Sequence, residues 1–80
     1  MASVRFFAQA RDAAGGTREV EIDGTTVSDV LAAAVERYGE GLGRVIAIST
    51  IWVNGEEAGP SEPLGAGDEL AVLPPVSGGI

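Results

Sequence analysis

Apolar and polar positions alternate with a period of two at the start of the chain. This pattern is typical of a β-strand with one buried face, and the residues expected to face the core are Val4, Phe6 and Ala8. A turn of two alanines and two glycines follows at residues 13–16, and a second β-branched alternation runs from Thr17 to Ile22. The first part of the chain therefore predicts two neighbouring strands.

The strongest pattern along the chain is an α-helix that begins after Thr26. Thr26 is suited to cap the first turn, Asp29 completes a capping-box-like pair, and Gly39 provides the C-terminal stop. Apolar residues recur between these limits at spacings of three and four, which places them on one helical face. They are Val27, Val30, Leu31, Ala34, Val35 and Tyr38.

Glycines at positions 39, 41 and 43 predict a flexible connector after this helix. A nucleotide-binding glycine loop is disfavoured, because such a loop follows a strand and opens a helix. Residues 47–53 predict a third strand that ends in the hairpin dipeptide Asn54-Gly55, and residues 57–58 are expected to pair briefly. Pro60 and Pro63 indicate a loop, and Leu64 is expected to fill the core.

A last strand at residues 69–73 completes an α+β pattern. One main helix crossing a mixed four- to five-stranded sheet predicts the β-grasp (ubiquitin-like) fold. We expect this domain to span residues 1–73, with a flexible diglycine tail at residues 74–80. The tail sequence is Pro-Pro-Val-Ser-Gly-Gly-Ile, which cannot form a helix and reaches roughly 23 Å when extended.

Composition narrows the possible chemistry. The chain of 80 residues has 12 acidic and 5 basic residues, a net charge of −7, and neither cysteine nor histidine. All five basic residues are arginines. This excludes thiol nucleophiles, imidazole bases and Schiff-base lysines. The negative charge disfavours nucleic acid and anionic membranes and suits a partner with a basic surface. A strand pattern close to Met1 leads us to expect no signal peptide and a cytoplasmic protein.

Few candidate sites remain among the side chains. Asp68 and Glu69 are adjacent acids that would point to opposite faces of a strand, so turn chemistry is favoured over a metal site. Ser77 has no base to activate it as a nucleophile. Arg11 and Arg18 are interpreted as solvated charges near the first turn. We therefore expect no catalytic side chain, no cofactor and no metal ion.

Several segments together resemble a known family. They are Val4-Arg5-Phe6-Phe7-Ala8-Gln9-Ala10-Arg11, Val53-Asn54-Gly55, Pro63-Leu64, Gly67-Asp68-Glu69 and Leu73-Pro74-Pro75-Val76-Ser77-Gly78-Gly79. Nearly the whole chain thus resembles the ubiquitin-like sulfur carriers (MoaD/ThiS), and most of all the small subunit of molybdopterin synthase (MoaD). A terminal diglycine alone would be weak evidence, but the combination is specific.

The resemblance implies that the chemistry lies at the chain end. In this family an ATP-dependent adenylyltransferase of the ubiquitin-activating type adenylates the last glycine, which becomes a thiocarboxylate. The tail then enters the large subunit (MoaE), where its sulfur is used to make the dithiolene of molybdopterin. The implied attachment point is Gly79, and Gly78 and Ser77 are the residues that give the tail access to a narrow channel. Glycine suits this position because it has no Cβ to obstruct close approach.

One residue departs from the family pattern. Members usually end at the second glycine, but Ile80 follows Gly79 here. Our hypothesis is that a processing protease removes Ile80 before Gly79 is activated. The alternatives are an artificial addition to the sequence, or a carrier-like protein that only binds partners.

The period-two alternation also predicts a docking surface. If Val4 and Phe6 face inward, then Phe7, Trp52 and Leu73 lie on the opposite sheet face. We expect these three residues, with Pro74 and Pro75, to contact partners beside the tail. A register shifted by one residue would instead place them in the core.

Three functional alternatives stay open. One is sulfur delivery to thiamine or cysteine synthesis rather than to molybdopterin. The others are a β-grasp binding module, whose tail merely docks, and a protein modifier, whose tail is conjugated to other proteins.

Overall fold

The computed structural model describes residues 1–75, which form five strands and three helices. In chain order these are β1 (Ala2–Phe6), α1 (Gln9–Ala13), β2 (Glu19–Ile22), α2 (Val27–Tyr38), α3 (Glu40–Ala47), β3 (Thr50–Val53), β4 (Glu56–Glu57) and β5 (Glu69–Leu73).

The strands form one mixed sheet in the order β2-β1-β5-β3-β4. The first and last strands, β1 and β5, are parallel neighbours at its centre, and all other pairs are antiparallel. This is the predicted β-grasp arrangement, with five strands. Because β1 and β5 are parallel, the end of β5, where the tail begins, lies beside the end of β1.

The hydrophobic core lies on the inner face of the sheet, between the strands and the helices. The alternation in β1 and β5 is confirmed, since Val4, Phe6, Leu70 and Val72 are at most 2% exposed. The buried apolar residues are Ala2, Val4, Phe6, Ala10, Ala14, Ile22, Val27, Val30, Ala34, Leu42, Val53, Leu64, Leu70 and Val72.

Helix α2 matches its prediction at both ends. The Thr26 hydroxyl accepts a hydrogen bond from the Asp29 backbone N–H at 3.2 Å, which satisfies one donor of the first turn. At the other end Gly39 adopts a φ of 101°, a conformation that L side chains rarely adopt, and the helix ends there. Tyr38 at the end of the apolar stripe meets the ring of Phe6 edge-on, with centroids 5.7 Å apart.

The predicted flexible connector at Gly39, Gly41 and Gly43 is wrong. The segment instead forms the eight-residue helix α3. The strand predicted from residue 47 therefore begins only at Thr50.

Tertiary packing explains this helix. Leu42, Val45 and Ile46 lie three and four residues apart, which gives α3 one apolar face, and Leu42 is fully buried. That burial offsets the low helix propensity of glycine. A Cβ on Gly43 would lie 3.4 Å from a methyl group of Val35, so this glycine suits the close packing of α3 on α2.

The region between β1 and β2 also differs from the prediction. Ala8 was expected to face the core, but it is exposed with a φ of 51°, and the chain enters the short helix α1. Ala10, on α1, is fully buried. The predicted turn follows as expected, with positive φ at Gly15 and Gly16, and β2 starts at Glu19 rather than Thr17.

The later turns follow their sequence signals. Asn54 and Gly55 have φ values of 51° and 85°, as the tight hairpin between β3 and β4 requires. β4 is only Glu56–Glu57, so the predicted pairing at residues 57–58 is displaced by one residue. Leu64 is buried at 6% exposure, as predicted.

Candidate functional site

The outer face of the sheet carries the predicted docking residues. Trp52 pairs with Ala71 of β5, and Leu73 pairs with Thr50 of β3. Phe7 continues the parallel ladder beside Leu73, because its N–H donates to the Val72 carbonyl at 3.3 Å. The pairing thus brings Phe7, Leu73 and Trp52 to one face, opposite the core.

This outer face is open in the part of the chain that the structure describes. Phe7 is 39% exposed, and Trp52 and Leu73 are partly exposed. None of the strand residues on this face is buried, whereas their neighbours on the inner face form the core. The register shifted by one residue is therefore wrong, and Phe7, Trp52 and Leu73 form an apolar patch that we call the docking face.

The tail begins at the edge of this face. β5 ends at Leu73, followed by half-buried Pro74 and exposed Pro75. The predicted reactive residues Ser77, Gly78 and Gly79, and the extra Ile80, lie outside the residues that the structure describes. A molecule that binds the start of the tail would also meet Phe7, since β1 and β5 end side by side.

A small basic groove at the same edge escaped the sequence prediction. It has a volume of about 170 Å³ and is lined by Arg5, Phe6, Phe7, Arg11 and Arg18. The sequence interpretation treated Arg11 and Arg18 as separate solvated turn charges. The predicted β-grasp topology could have revealed this groove. It places the end of β1 and the start of β2 beside the end of β5, where the tail begins.

Asp68 has a turn role rather than an exposed reactive one. Its carboxylate accepts hydrogen bonds from the Gly65 backbone N–H at 2.8 Å and from the Asn54 side-chain amide at 3.1 Å. Both hydrogen bonds lower the pKa of Asp68 below its ordinary value of 3.8, and the one from the Gly65 backbone has the larger effect. The Asn54 carbonyl oxygen in turn accepts from the Glu69 N–H at 2.9 Å, so the network ties the β3–β4 hairpin to the start of β5.

A second groove, of about 450 Å³, lies between β2 and α2. It is lined by Met1, Glu21, Ile22, Asp23, Ala33, Glu36 and Arg37. Met1 precedes β1, so this groove lies toward the end of the sheet opposite the tail. Acidic residues line this groove, whereas arginines line the groove beside the tail.

None of the helices within residues 1–75 is long and apolar enough to cross a membrane.

Comparison with known proteins identifies the family. The family model described as ThiS matches residues 4–79, nearly the whole chain. The chain belongs to the ThiS family. This ThiS-family protein is a ubiquitin-like sulfur carrier or modifier.

Three similar proteins show which kinds of family member this chain resembles. Small archaeal modifier protein 1 of Haloferax volcanii is 39% identical over an alignment of 84 positions, gaps included, which covers 94% of this chain and 97% of the relative. The solution structure of small archaeal modifier protein 1 from Methanosarcina acetivorans superposes with a TM-score of 0.86 at 33% identity, covering 98% of this chain and 95% of that one. A chain in the structure of the complex of subunits 1 and 2 of the Helicobacter pylori molybdopterin-converting factor matches with a TM-score of 0.71 at 28% identity, covering 98% of this chain and 97% of that one.

Proposed function

We propose that this protein is the small, sulfur-carrying subunit of a molybdopterin synthase, and that Gly79 carries the sulfur. The observation that carries this proposal is the family match, which runs through the diglycine to Gly79 and stops before Ile80. The similarity to the two-subunit molybdopterin-converting factor supports this branch of the family.

The proposed chemistry needs only the terminal carboxylate of Gly79. One carboxylate oxygen attacks the α-phosphorus of ATP, pyrophosphate leaves, and an acyl adenylate forms. A sulfide-level nucleophile then attacks the acyl carbon, AMP leaves, and the product is a thiocarboxylate. Partner proteins supply the catalytic groups, which fits a chain without cysteine, histidine or lysine.

Each partner has a defined part in the proposal. A protease removes Ile80, together with anything that follows it, so that Gly79 becomes the terminus. An adenylyltransferase of the ubiquitin-activating type performs the ATP-dependent step. The large synthase subunit then receives the tail while Phe7, Trp52 and Leu73 hold the domain. The open docking face next to Pro74 and Pro75 supports this arrangement.

Intact mass measurement tests the carrier proposal. The full chain is incubated with cell extract of its source, ATP and a sulfur source, and its mass is followed. We expect loss of the Ile80 residue and then replacement of one oxygen by sulfur. A Gly79→Ala variant should not gain sulfur, whereas Gly59→Ala, at a loop position where a Cβ meets nothing within 4 Å, should behave like the wild type. Persistence of Ile80 without oxygen-to-sulfur exchange would disprove the proposal.

A second candidate function is protein modification, which the identity to small archaeal modifier protein 1 favours. In that case the activated Gly79 carbonyl is attacked by a lysine amine of another protein, and AMP leaves as an isopeptide bond forms. Peptide mass spectrometry distinguishes the two, because a modifier leaves its own C-terminal residues on lysines of other proteins; since Arg44 is the last basic residue, digestion at basic residues leaves a branch of residues 45–79. Stable co-purification with a pterin-binding large subunit would instead support the synthase. Transfer of sulfur to an enzyme of thiamine or cysteine synthesis would move the protein to another carrier branch.

A further inference from the structure

The Asn54-Gly55 dipeptide carries a chemical reactivity that its role as a hairpin turn does not use. Asn54 is the only asparagine of the chain, and Gly55 follows it directly. A glycine in this position leaves its backbone nitrogen open to the asparagine side chain, because it has no Cβ to obstruct the approach. Both residues are exposed in the turn between β3 and β4. The pair therefore combines an electrophilic carboxamide with an accessible nucleophile.

The two reactive groups are held differently. The Gly55 N–H donates to no backbone oxygen within residues 1–75. The Asn54 carboxamide is hydrogen-bonded at both ends, since its nitrogen donates to the Asp68 carboxylate at 3.1 Å and its oxygen accepts from the Glu69 N–H at 2.9 Å. The Asn54 backbone N–H also donates to the Glu69 carbonyl at 2.8 Å. Three hydrogen bonds thus hold Asn54 against the start of β5.

We propose that Asn54 is a site of spontaneous deamidation and that its hydrogen bonds to Asp68 and Glu69 slow the reaction in the folded protein. In the first step the Gly55 nitrogen attacks the side-chain carbonyl carbon of Asn54. The proton of that nitrogen passes through water to the side-chain nitrogen, and ammonia leaves as a succinimide ring forms. Water then opens the ring and leaves aspartate or isoaspartate at position 54. This inference goes beyond the proposed function and holds for a carrier and for a modifier alike.

The hydrogen bonds oppose the first step. To close the ring, the carboxamide must turn its carbon toward the Gly55 nitrogen, and this rotation breaks its bonds to Asp68 and Glu69. The bond to Asp68 has an ionised acceptor, and such bonds are about twice as strong as neutral ones. Deamidation should consequently proceed from molecules in which the β3–β4 hairpin has separated locally from β5.

The product does not fit the place that Asn54 occupies. An aspartate keeps an acceptor for the Glu69 N–H, but it sets a second carboxylate against that of Asp68, where the amide donor now lies 3.1 Å away. Two carboxylates at this separation repel each other. An isoaspartate also adds a main-chain carbon atom to a loop whose two residues set the register of the hairpin. Either product weakens the link between the hairpin and the start of β5.

Mass spectrometry of the stored full chain tests this inference, because deamidation replaces the side-chain NH2 by OH. Wild type, Asp68→Ala and Gly24→Ala are kept in the same neutral buffer. Asp68→Ala removes the acceptor of the Asn54 amide, whereas Gly24→Ala crowds Val30 on α2 and leaves the contacts of Asn54 unchanged. We expect Asp68→Ala to deamidate at least about tenfold faster than the wild type, since it loses a hydrogen bond to a charged group. The rate of Gly24→Ala should stay within about threefold of the wild type.

A comparison in denaturant keeps the test independent of whether Asp68→Ala folds. In guanidinium chloride that unfolds all three chains, their rates should be equal and should exceed that of the folded wild type. Equal rates of the wild type with and without denaturant would overturn the protection by the fold. An equal acceleration of Asp68→Ala and Gly24→Ala in buffer would overturn the role of the Asp68 contact. A wild type that keeps its amide even when unfolded would overturn the site itself.

The effect of the product is measured on the deamidated chain and on Asn54→Asp. Ion exchange separates the deamidated chain by its additional negative charge, and peptide mapping verifies that the change lies at position 54. Both proteins should unfold at lower guanidinium concentration than the wild type. A midpoint equal to that of the wild type would overturn the proposed loosening of β5.

Discussion

Truncation of Trp52 to alanine should separate docking from folding. The side chain is on β3, but it points away from the core, while the next residue, Val53, points into it. Its in-register neighbours on the outer face are Ala71 of β5 and Glu57 of β4. Trp52 is thus supported by two cross-strand neighbours and by no part of the buried core among the described residues.

The structure sets the expected magnitudes. Each cross-strand pair contributes about 0.2–1 kcal/mol, so Trp52→Ala should lower the free energy of unfolding by about 1 kcal/mol. For a domain of this size that corresponds to a fall in Tm of about 4–8 °C. Leu70→Ala is the matched control, because Leu70 lies one strand away, is fully buried and pairs with Val53. Its loss should be about 2–5 kcal/mol.

Thermal unfolding and calorimetric binding together give the assay. Trp52→Ala should weaken binding to the large synthase subunit by about 2 kcal/mol or more, roughly 30-fold in Kd, as expected for an aromatic residue at the centre of an interface. In the wild type, the fluorescence of this single tryptophan should shift to shorter wavelength when the partner binds. A fall in Tm as large as that of Leu70→Ala would contradict the outer placement of Trp52. An unchanged Kd would refute the docking role.

Further predictions concern the fold and its pH dependence. Gly24→Ala should destabilise by about 1–3 kcal/mol in urea unfolding, because the added Cβ would lie 2.6 Å from a methyl group of Val30; Gly59→Ala, which meets nothing within 4 Å, should be nearly neutral. Leu42→Ala should lower the free energy of unfolding by about 2–5 kcal/mol and reduce the helical circular dichroism. An unchanged stability would instead support a flexible connector at residues 39–43. The pKa of Asp68 is lowered by folding, so its stabilising contribution is complete above its ordinary value of 3.8 and is lost as pH falls through the lower folded pKa. The urea midpoint of the wild type should therefore exceed that of Asp68→Asn near neutral pH, and the gap should close below 3.8; a gap that is independent of pH would contradict the role of the charge.

The sequence alone predicted those elements in which the cap, the apolar spacing and the turn residues all indicate the same local structure. Helix α2 has a cap at Thr26, a complete apolar stripe and a stop at Gly39, and all three are in the structure. The Asn54-Gly55 hairpin likewise needs only positive φ at two positions. Helix α3 was not predicted because its glycines lower helix propensity and Leu42 compensates only through contacts with distant parts of the chain. Helix α1 has five residues, too few for a helical period to be recognised.

The same distinction applies to the candidate site. The outer placement of Phe7, Trp52 and Leu73 followed from the period of two, because one buried face fixes the register of every strand. The grouping of Arg11 with Arg18 depends on the turn conformation between β1 and β2, which local composition does not specify. Spacing alone therefore left these arginines as separate surface charges.

The central position of β5 links folding to presentation of the tail. Leu73 lies between β1 on one side and β3 on the other, so the start of the tail is fixed relative to Phe7 by backbone hydrogen bonds. The β1–β5 pairing joins residues near the two ends of the chain and costs more loop-closure entropy than the local hairpins. The docking face and the basic groove lined by Arg5, Arg11 and Arg18 consequently lie beside the start of the tail only when this longest-range pairing has formed. A partner that requires both contacts would discriminate against unfolded chains, even though every unfolded chain carries the same diglycine.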